Sequence, residues 1–156
     1  SHELIIDKSW NKTQLESQLS ALSISKILSL LNQINNEELS YTKQDSNIAT
    51  YCKKINKEDS LINFSTPSNE ILNKFKAFNE WPGISFIYKE KLIKIHEIFE
   101  KETNSLAQPG EIISFNKDGL SIKTNDSSIV ITHLQFQNKN IISSKDAFNS
   151  YRNFFQ

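Results

Sequence analysis

The stretch KFKAFNEWPGISFIYKEKLIKI, residues 74–95, changes its hydrophobic period from helical to alternating at one corner, Trp81-Pro82-Gly83. Before the corner, Ile71, Leu72, Phe75 and Phe78 recur at helical spacing. Thr66-Pro67 supplies a start for that helix, with Thr66 as N-cap and Pro67 at the first helical position, where a missing amide costs nothing. Pro82 biases Trp81 toward an extended backbone, and Gly83 permits a sharp change of direction. The corner therefore predicts a rigid junction between a helix bearing Lys74 and Lys76 and a sheet.

Downstream, ISFIY, KLIKIHEIF, GEIISF, LSIKT and SIVITHLQF read as five short strands. Turn signals separate them at Lys89-Glu90, Pro109-Gly110, Asp118-Gly119 and Asn125-Asp126. In LSIKT, Leu120, Ile122 and Thr124 face one way while Ser121 and Lys123 face the other, as a half-buried strand requires. A closing helix follows, with Ser143 and Asp146 as its capping pair and Ala147, Phe148, Tyr151 and Phe155 as its apolar face. The pattern predicts an α+β fold: a small five-stranded antiparallel β-barrel of the oligonucleotide-binding (OB) class, with flanking helices.

Upstream, Thr13-Gln14-Leu15-Glu16 fits a capping box. Leu15, Leu19 and Leu22, then Ile24, Ile27, Leu28, Leu31 and Ile34, follow at helical spacing, with a break between two helices expected at Ser23 and Ser25. So generous an apolar stripe cannot be buried by so short a segment; it predicts the edge of something larger. From Asn35 to about Ser60 the chain turns polar and reads as a linker, with Ile48, Tyr51 and Ile55 as its main anchors.

The 156 residues suit one domain, or one small domain with an appendage. Bases and acids balance at 18 each, which excludes a global field for nucleic acid, but they are unevenly placed. Residues 1–42 carry three bases against five acids, 43–94 nine against six, and 95–156 six against seven. A basic middle is a modest pointer to a polyanion, set against an ordinary solvated surface. The single cysteine, Cys52, excludes an internal disulfide and suits a reducing, cytoplasmic compartment. No run reaches the ~18 apolar residues of a membrane span. Methionine is absent even at position 1, so the chain is expected to be a fragment, a processed chain or an engineered piece, and Ser1-His2 is compatible with a cloning scar.

Catalytic chemistry is nearly absent. There is no glycine-rich phosphate loop and no closely spaced pair of metal ligands. His96 and His133 lie within strand patterns and read as structural imidazoles. Cys52 sits among Lys53, Lys54 and Lys57, which would favour a thiolate, but it reads as an incidental linker thiol. No catalytic and no metal-binding residue is therefore assigned.

The residues do carry a resemblance. Tyr51-Cys52-Lys53-Lys54-Ile55-Asn56-Lys57-Glu58 is followed by Ile62-Asn63-Phe64, by Phe75-Lys76-Ala77, by Trp81-Pro82-Gly83 and by Pro109-Gly110-Glu111-Ile112. Gly119, Leu134-Gln135-Phe136-Gln137-Asn138-Lys139 and a last helix at Ala147 complete the order. In that order and at those gaps the chain resembles the C-terminal half of the methionyl-tRNA formyltransferase family. It departs at Lys76 for an arginine, at Asn138 for a turn glycine and at Ser127 for a hairpin glycine.

The resemblance implies a parent enzyme, expected to be monomeric, that transfers a formyl group from 10-formyltetrahydrofolate to the amino group of methionyl-initiator-tRNA. The family's catalytic Asn, His and Asp would lie upstream, on a missing α/β domain. Residues 1–34 would be that domain's last helices, 35–57 the linker and 58–156 the tRNA-holding domain. Lys53, Lys54, Lys57, Lys76 and Lys139 are the implied tRNA contacts, and Trp81, Pro82 and Gly83 the structural corner that sets basic residues on one surface. The other readings are a nucleic-acid-binding barrel from a different tRNA enzyme or a related formyltransferase, and a protein-interaction domain.

Overall fold

The computed structural model describes residues 3–156, and the chain divides after Ile55 into two compact units. The first unit is built on one helix, α1, Lys12–Asn35. The expected break does not occur. The Ser23 hydroxyl donates to the Leu19 carbonyl at 2.7 Å, and Ser25 donates to Leu22 at 2.9 Å. The serines thus bond back onto the preceding turn and leave the helix continuous. The cap also lies two residues earlier than expected. Asn11 accepts from the Gln14 amide at 3.0 Å, and Gln14 Oε1 accepts from the Asn11 amide at 2.9 Å. No residue of α1 is buried; Ile24 is 65% and Leu28 61% exposed. The polar segment that follows holds one short 3₁₀ turn, Ser46–Ile48. Its expected anchors Ile48 and Tyr51 are 77% and 94% exposed, so they anchor nothing within that unit.

The second unit, Asn56–Gln156, opens with a 3₁₀ turn, Lys57–Ser60, and a helix α2, Ser68–Ala77. Strands β1 (Ile84–Tyr88), β2 (Lys91–Lys101), β3 (Ile112–Phe115), β4 (Leu120–Lys123), β5 (Ser128–Phe136) and β6 (Ile142–Ser143) follow, and α3 (Ser144–Phe155) closes the unit. All ladders among the strands are antiparallel, in the order β1-β2-β5-β4-β3, with β6 added to β5. The β1–β2 turn places Lys89 and Glu90 at φ of 45° and 63°, the two left-handed residues a tight hairpin needs. Inward positions pair across the ladders, Ile84 with Ile95, Phe86 with Ile93, Leu134 with Ile95 and Ile131 with Ile98. These side chains form the core, joined by Ile71 of α2 and by Ala147 and Phe155 of α3. Burying such branched side chains contributes about 1.5–3 kcal/mol each.

Two expectations change here. The sheet has six strands rather than five, the sixth being a two-residue pair too short to display any alternation in sequence. Nor does it close, because no ladder joins β1 to β3. Phe155 occupies that gap. Its ring lies 5.5 Å from Tyr88 at the end of β1 and 4.9 Å from Phe115 at the end of β3. Aromatic packing stands there in place of backbone pairing.

The start of α2 also differs from expectation. Thr66 does not cap it; the Thr66 hydroxyl donates to the Asn63 carbonyl. The first helical amide, that of Ser68, instead donates to Asp126 Oδ1 at 2.9 Å, across from the β4–β5 turn. Chiefly for that reason the Asp126 carboxyl is held below its ordinary value. Ser68 is fully buried, and its hydroxyl bonds Glu100 of β2. A turn remote in sequence therefore seats the helix that carries Lys74 and Lys76.

Candidate nucleic-acid interface

The corner joins α2 to β1 through a cis peptide bond at Trp81-Pro82. Gly83 is at φ 77°, and its amide donates back to the Phe78 carbonyl at 2.9 Å. Only glycine adopts that conformation without strain. It also leaves room for Lys94: a Cβ on Gly83 would stand 2.6 Å from Lys94 Cε and 3.3 Å from Nζ. Lys94 of β2 thus lies directly against the corner. Trp81, beside it, is 55% exposed.

The sheet register carries this arrangement onward. Ile93 and Ile95 point into the core, so Lys94 points out, opposite Ser85 on β1 and Gln135 on β5. Gln135 then makes two bonds. Its Oε1 lies 2.8 Å from His96 Nε2, and its Nε2 donates to the Lys139 carbonyl at 2.7 Å. Lys139 is exposed at the β5–β6 turn, next to Asn138, which takes the left-handed φ of 59° expected for its place. One outward surface therefore links the corner, Lys94, Gln135, His96 and Lys139. Beyond Lys139 a cleft of about 510 Å³ opens between the two hairpin turns and α3, lined by Lys91, Phe136, Tyr151 and Phe154 among others.

The other residues expected to bind tRNA stand on other elements. Lys76 is half-buried in the last turn of α2. Its neighbour Lys74 is committed internally, with Nζ donating to the Leu61 carbonyl at 2.7 Å and standing 5.8 Å from the Phe78 ring. Lys57 is exposed and opens the 3₁₀ turn whose Ser60 reaches Ser85 of β1. Lys53 and Lys54 are exposed in the first unit. Lys94 was not singled out from sequence. The signal for it was an outward position in β2 against the α2–β1 corner, and that became readable once the register was known.

Chemistry of another kind finds little here. His133 Nδ1 lies 2.5 Å from Glu97 Oε2 on the paired strand, and both groups are substantially exposed. With His96 on Gln135, both imidazoles bond to their sheet neighbours. Among the described residues no group of three or more His, Cys, Asp or Glu could hold a metal ion, and no helix is long and apolar enough to cross a membrane. Cys52 is exposed. The surface offers cations, amide donors and an indole, groups able to hold an anionic partner.

Comparison with known proteins agrees on the region. Residues 54–152 match the family described as formyl transferase, C-terminal domain. The methionyl-tRNA formyltransferase of Legionella pneumophila (strain Corby) is 31% identical over 136 residues, which is 87% of this chain and 43% of that protein. That of Campylobacter curvus (strain 525.92) is 37% identical over 116 residues, covering 74% of this chain and 37% of the relative. The chain thus spans less than half the length of these curated relatives. Among solved structures, a variant of HypX from Aquifex aeolicus shares the fold over 96% of this chain and 28% of its own, with TM-score 0.66 and 16% identity. HypX in complex with tetrahydrofolic acid aligns over 83% of this chain with TM-score 0.56.

Proposed function

Because the chain belongs to the formyl transferase C-terminal domain family, we propose that it is the tRNA-binding half of a methionyl-tRNA formyltransferase. The observation that carries this reading is the family match over residues 54–152, supported by relatives of that name at 31% and 37% identity. The parent enzyme moves the formyl group of 10-formyltetrahydrofolate to the amino group of methionyl-initiator-tRNA in the cytoplasm, and it works as a monomer. Residues 1–34 are the last helical part of its catalytic domain, 35–57 the linker, and 58–156 an OB-like domain whose seam is filled by α3. The unburied apolar residues of α1 support that division.

Within this scheme the chain holds and the absent part transfers. In the cleft beside Lys139, Phe136 and Tyr151 already stack on each other at 4.3 Å, which leaves no slot between them for a pterin. In this reading the formyl donor is held by the part of the relatives that this chain does not span. Lys53, Lys54, Lys57, Lys76 and Lys139 contact tRNA phosphates, and affinity comes mainly from counterion release. Trp81, Pro82 and Gly83 set the angle at which α2 meets the sheet.

An electrophoretic shift with initiator and elongator tRNA, at low and moderate salt, tests the reading. A salt-sensitive shift that favours the initiator is expected. No shift at low salt would remove the RNA-binding role. Equal shifts for both tRNAs would assign the chain to some other tRNA enzyme.

A further inference from the structure

A structural corner needs Pro82 and Gly83, but it does not need an exposed indole. Trp81 leaves 55% of its surface in water, an unusual place for so large an apolar ring. Among the described residues it enters none of the aromatic pairs that tie α3 to the sheet. A cation stands at the same corner. Lys94 folds its Cε and Nζ against Gly83, two residues from Trp81, and stands on the outward face that runs to Gln135 and Lys139. Glycine at position 83 is what makes this approach possible, since any side chain there would push the lysine away.

We propose that Trp81 and Lys94 form a subsite for one unpaired nucleotide of the bound RNA, with the base stacked on the indole and an adjoining phosphate at Lys94 Nζ. The inference rests on the RNA-binding reading above and adds a recognition element to it. The chemistry selects the ligand. An exposed planar ring and a cation at one corner suit a group that is itself planar and anionic, and a nucleotide is both. Paired bases keep their faces against their neighbours, so only an unstacked base can reach the indole. A cationic or neutral partner would gain nothing from Lys94 or from Lys139 farther along the face.

The test uses the 156-residue chain with Trp10→Phe, which leaves Trp81 as the only indole. The probes are a short RNA hairpin with a single-stranded 3′ overhang and the same hairpin ended blunt. Indole fluorescence is expected to be quenched by the overhang hairpin and not by the blunt one. Trp81→Ala should weaken overhang binding roughly 5- to 100-fold and leave blunt binding unchanged. Trp81→Phe should retain most of the overhang preference and Trp81→Leu should lose it, with matched melting curves excluding misfolding. Lys94→Ala should weaken both hairpins and flatten the salt slope by about 0.7–0.9. Equal binding of both hairpins without quenching overturns the subsite and leaves RNA binding standing. Failure to bind either hairpin or tRNA removes the RNA reading and the subsite with it.

Discussion

Replacing Asp126 with alanine removes the acceptor that α2 uses in place of its own N-cap. The Ser68 amide reaches Oδ1 at 2.9 Å, and the Thr124 hydroxyl shares the same oxygen at 3.2 Å. Losing a side-chain cap costs about 0.5–2 kcal/mol, and losing a carboxylate at a helix N-terminus about 0.3–1 more. Asp126 is exposed, so solvent screens the charge and the lower part of the range applies. The expected loss at pH 7 is about 1 kcal/mol, read as a shift of ~4–8 °C in melting temperature or as a lower urea midpoint. Asp126→Asn keeps an acceptor oxygen and should lose only a few tenths of that. The pH dependence supplies a second check. The folded carboxyl lies below its ordinary value of 3.8. Its contribution is therefore fully present above that value and disappears as pH falls through the lower, folded one. The gap between the parent chain and Asp126→Ala should stay constant from pH 7 to about 5 and shrink below about 4. A gap of zero at pH 7, or one unchanged on acidification, would refute the cap.

Gly119→Ala would set a Cβ 2.2 Å from Cγ1 of Val130, a stiff β-branched side chain, and should cost about 1–3 kcal/mol in urea unfolding; combined with Val130→Ala it should cost less than the sum of the two. Gly83→Ala combines a positive φ with a clash at Lys94, so a loss of about 1 kcal/mol should accompany a shallower salt dependence of RNA binding. Removing the residues before Asn35 should leave the melting temperature of the second unit unchanged and improve solubility; a clear drop would show that α1 supports that unit. Changing Lys54 and Lys57 to Ala should lower tRNA affinity and its salt slope by about one per lost contact, while changing Lys101 and Lys117 should do little; equal losses would mean that net charge alone drives binding.

Strand periodicity was the most legible part of the fold. The runs at 84–88 and 128–136 are strands residue for residue, each rich in β-branched and aromatic residues, although Ile84–Phe86 and Ser128–Ile131 are buried on both faces rather than alternating. Helix ends were less legible for a specific reason. Asn11 to Gln14 and Thr13 to Glu16 both fit a capping box, and nothing local chooses between them. Thr66 likewise looks like a cap until the β4–β5 turn brings in a carboxylate 58 positions from Ser68. Ser23 and Ser25 can end a helix or bond back to it with equal local chemistry. Sheet closure depended on where α3 puts Phe155, a tertiary fact with no local signature. At the interface, charge density and motif order led to Lys53, Lys54, Lys57, Lys76 and Lys139. Lys94 required the β1–β2–β5 register and its approach to the Cβ-free face of Gly83.

The sheet has its own kinetic consequence. The β1–β2 hairpin and the β3–β4–β5 meander each form from near neighbours in sequence, and the β2–β5 ladder is the backbone pairing that joins the two. That ladder pairs Ile93 with Phe136 at one end and Lys101 with Ser128 at the other, so it must close a long connection before any of its bonds form. Folding of this unit is therefore expected to be limited by the meeting of two locally assembled pieces, since long-range pairing is the slow step in β-rich domains. Ile98→Val, at the Ile131 contact, should then slow folding, whereas Ile84→Val at the sheet edge should mainly hasten unfolding. Stopped-flow refolding of the two variants measures the difference, and identical folding rates would place the slow step elsewhere.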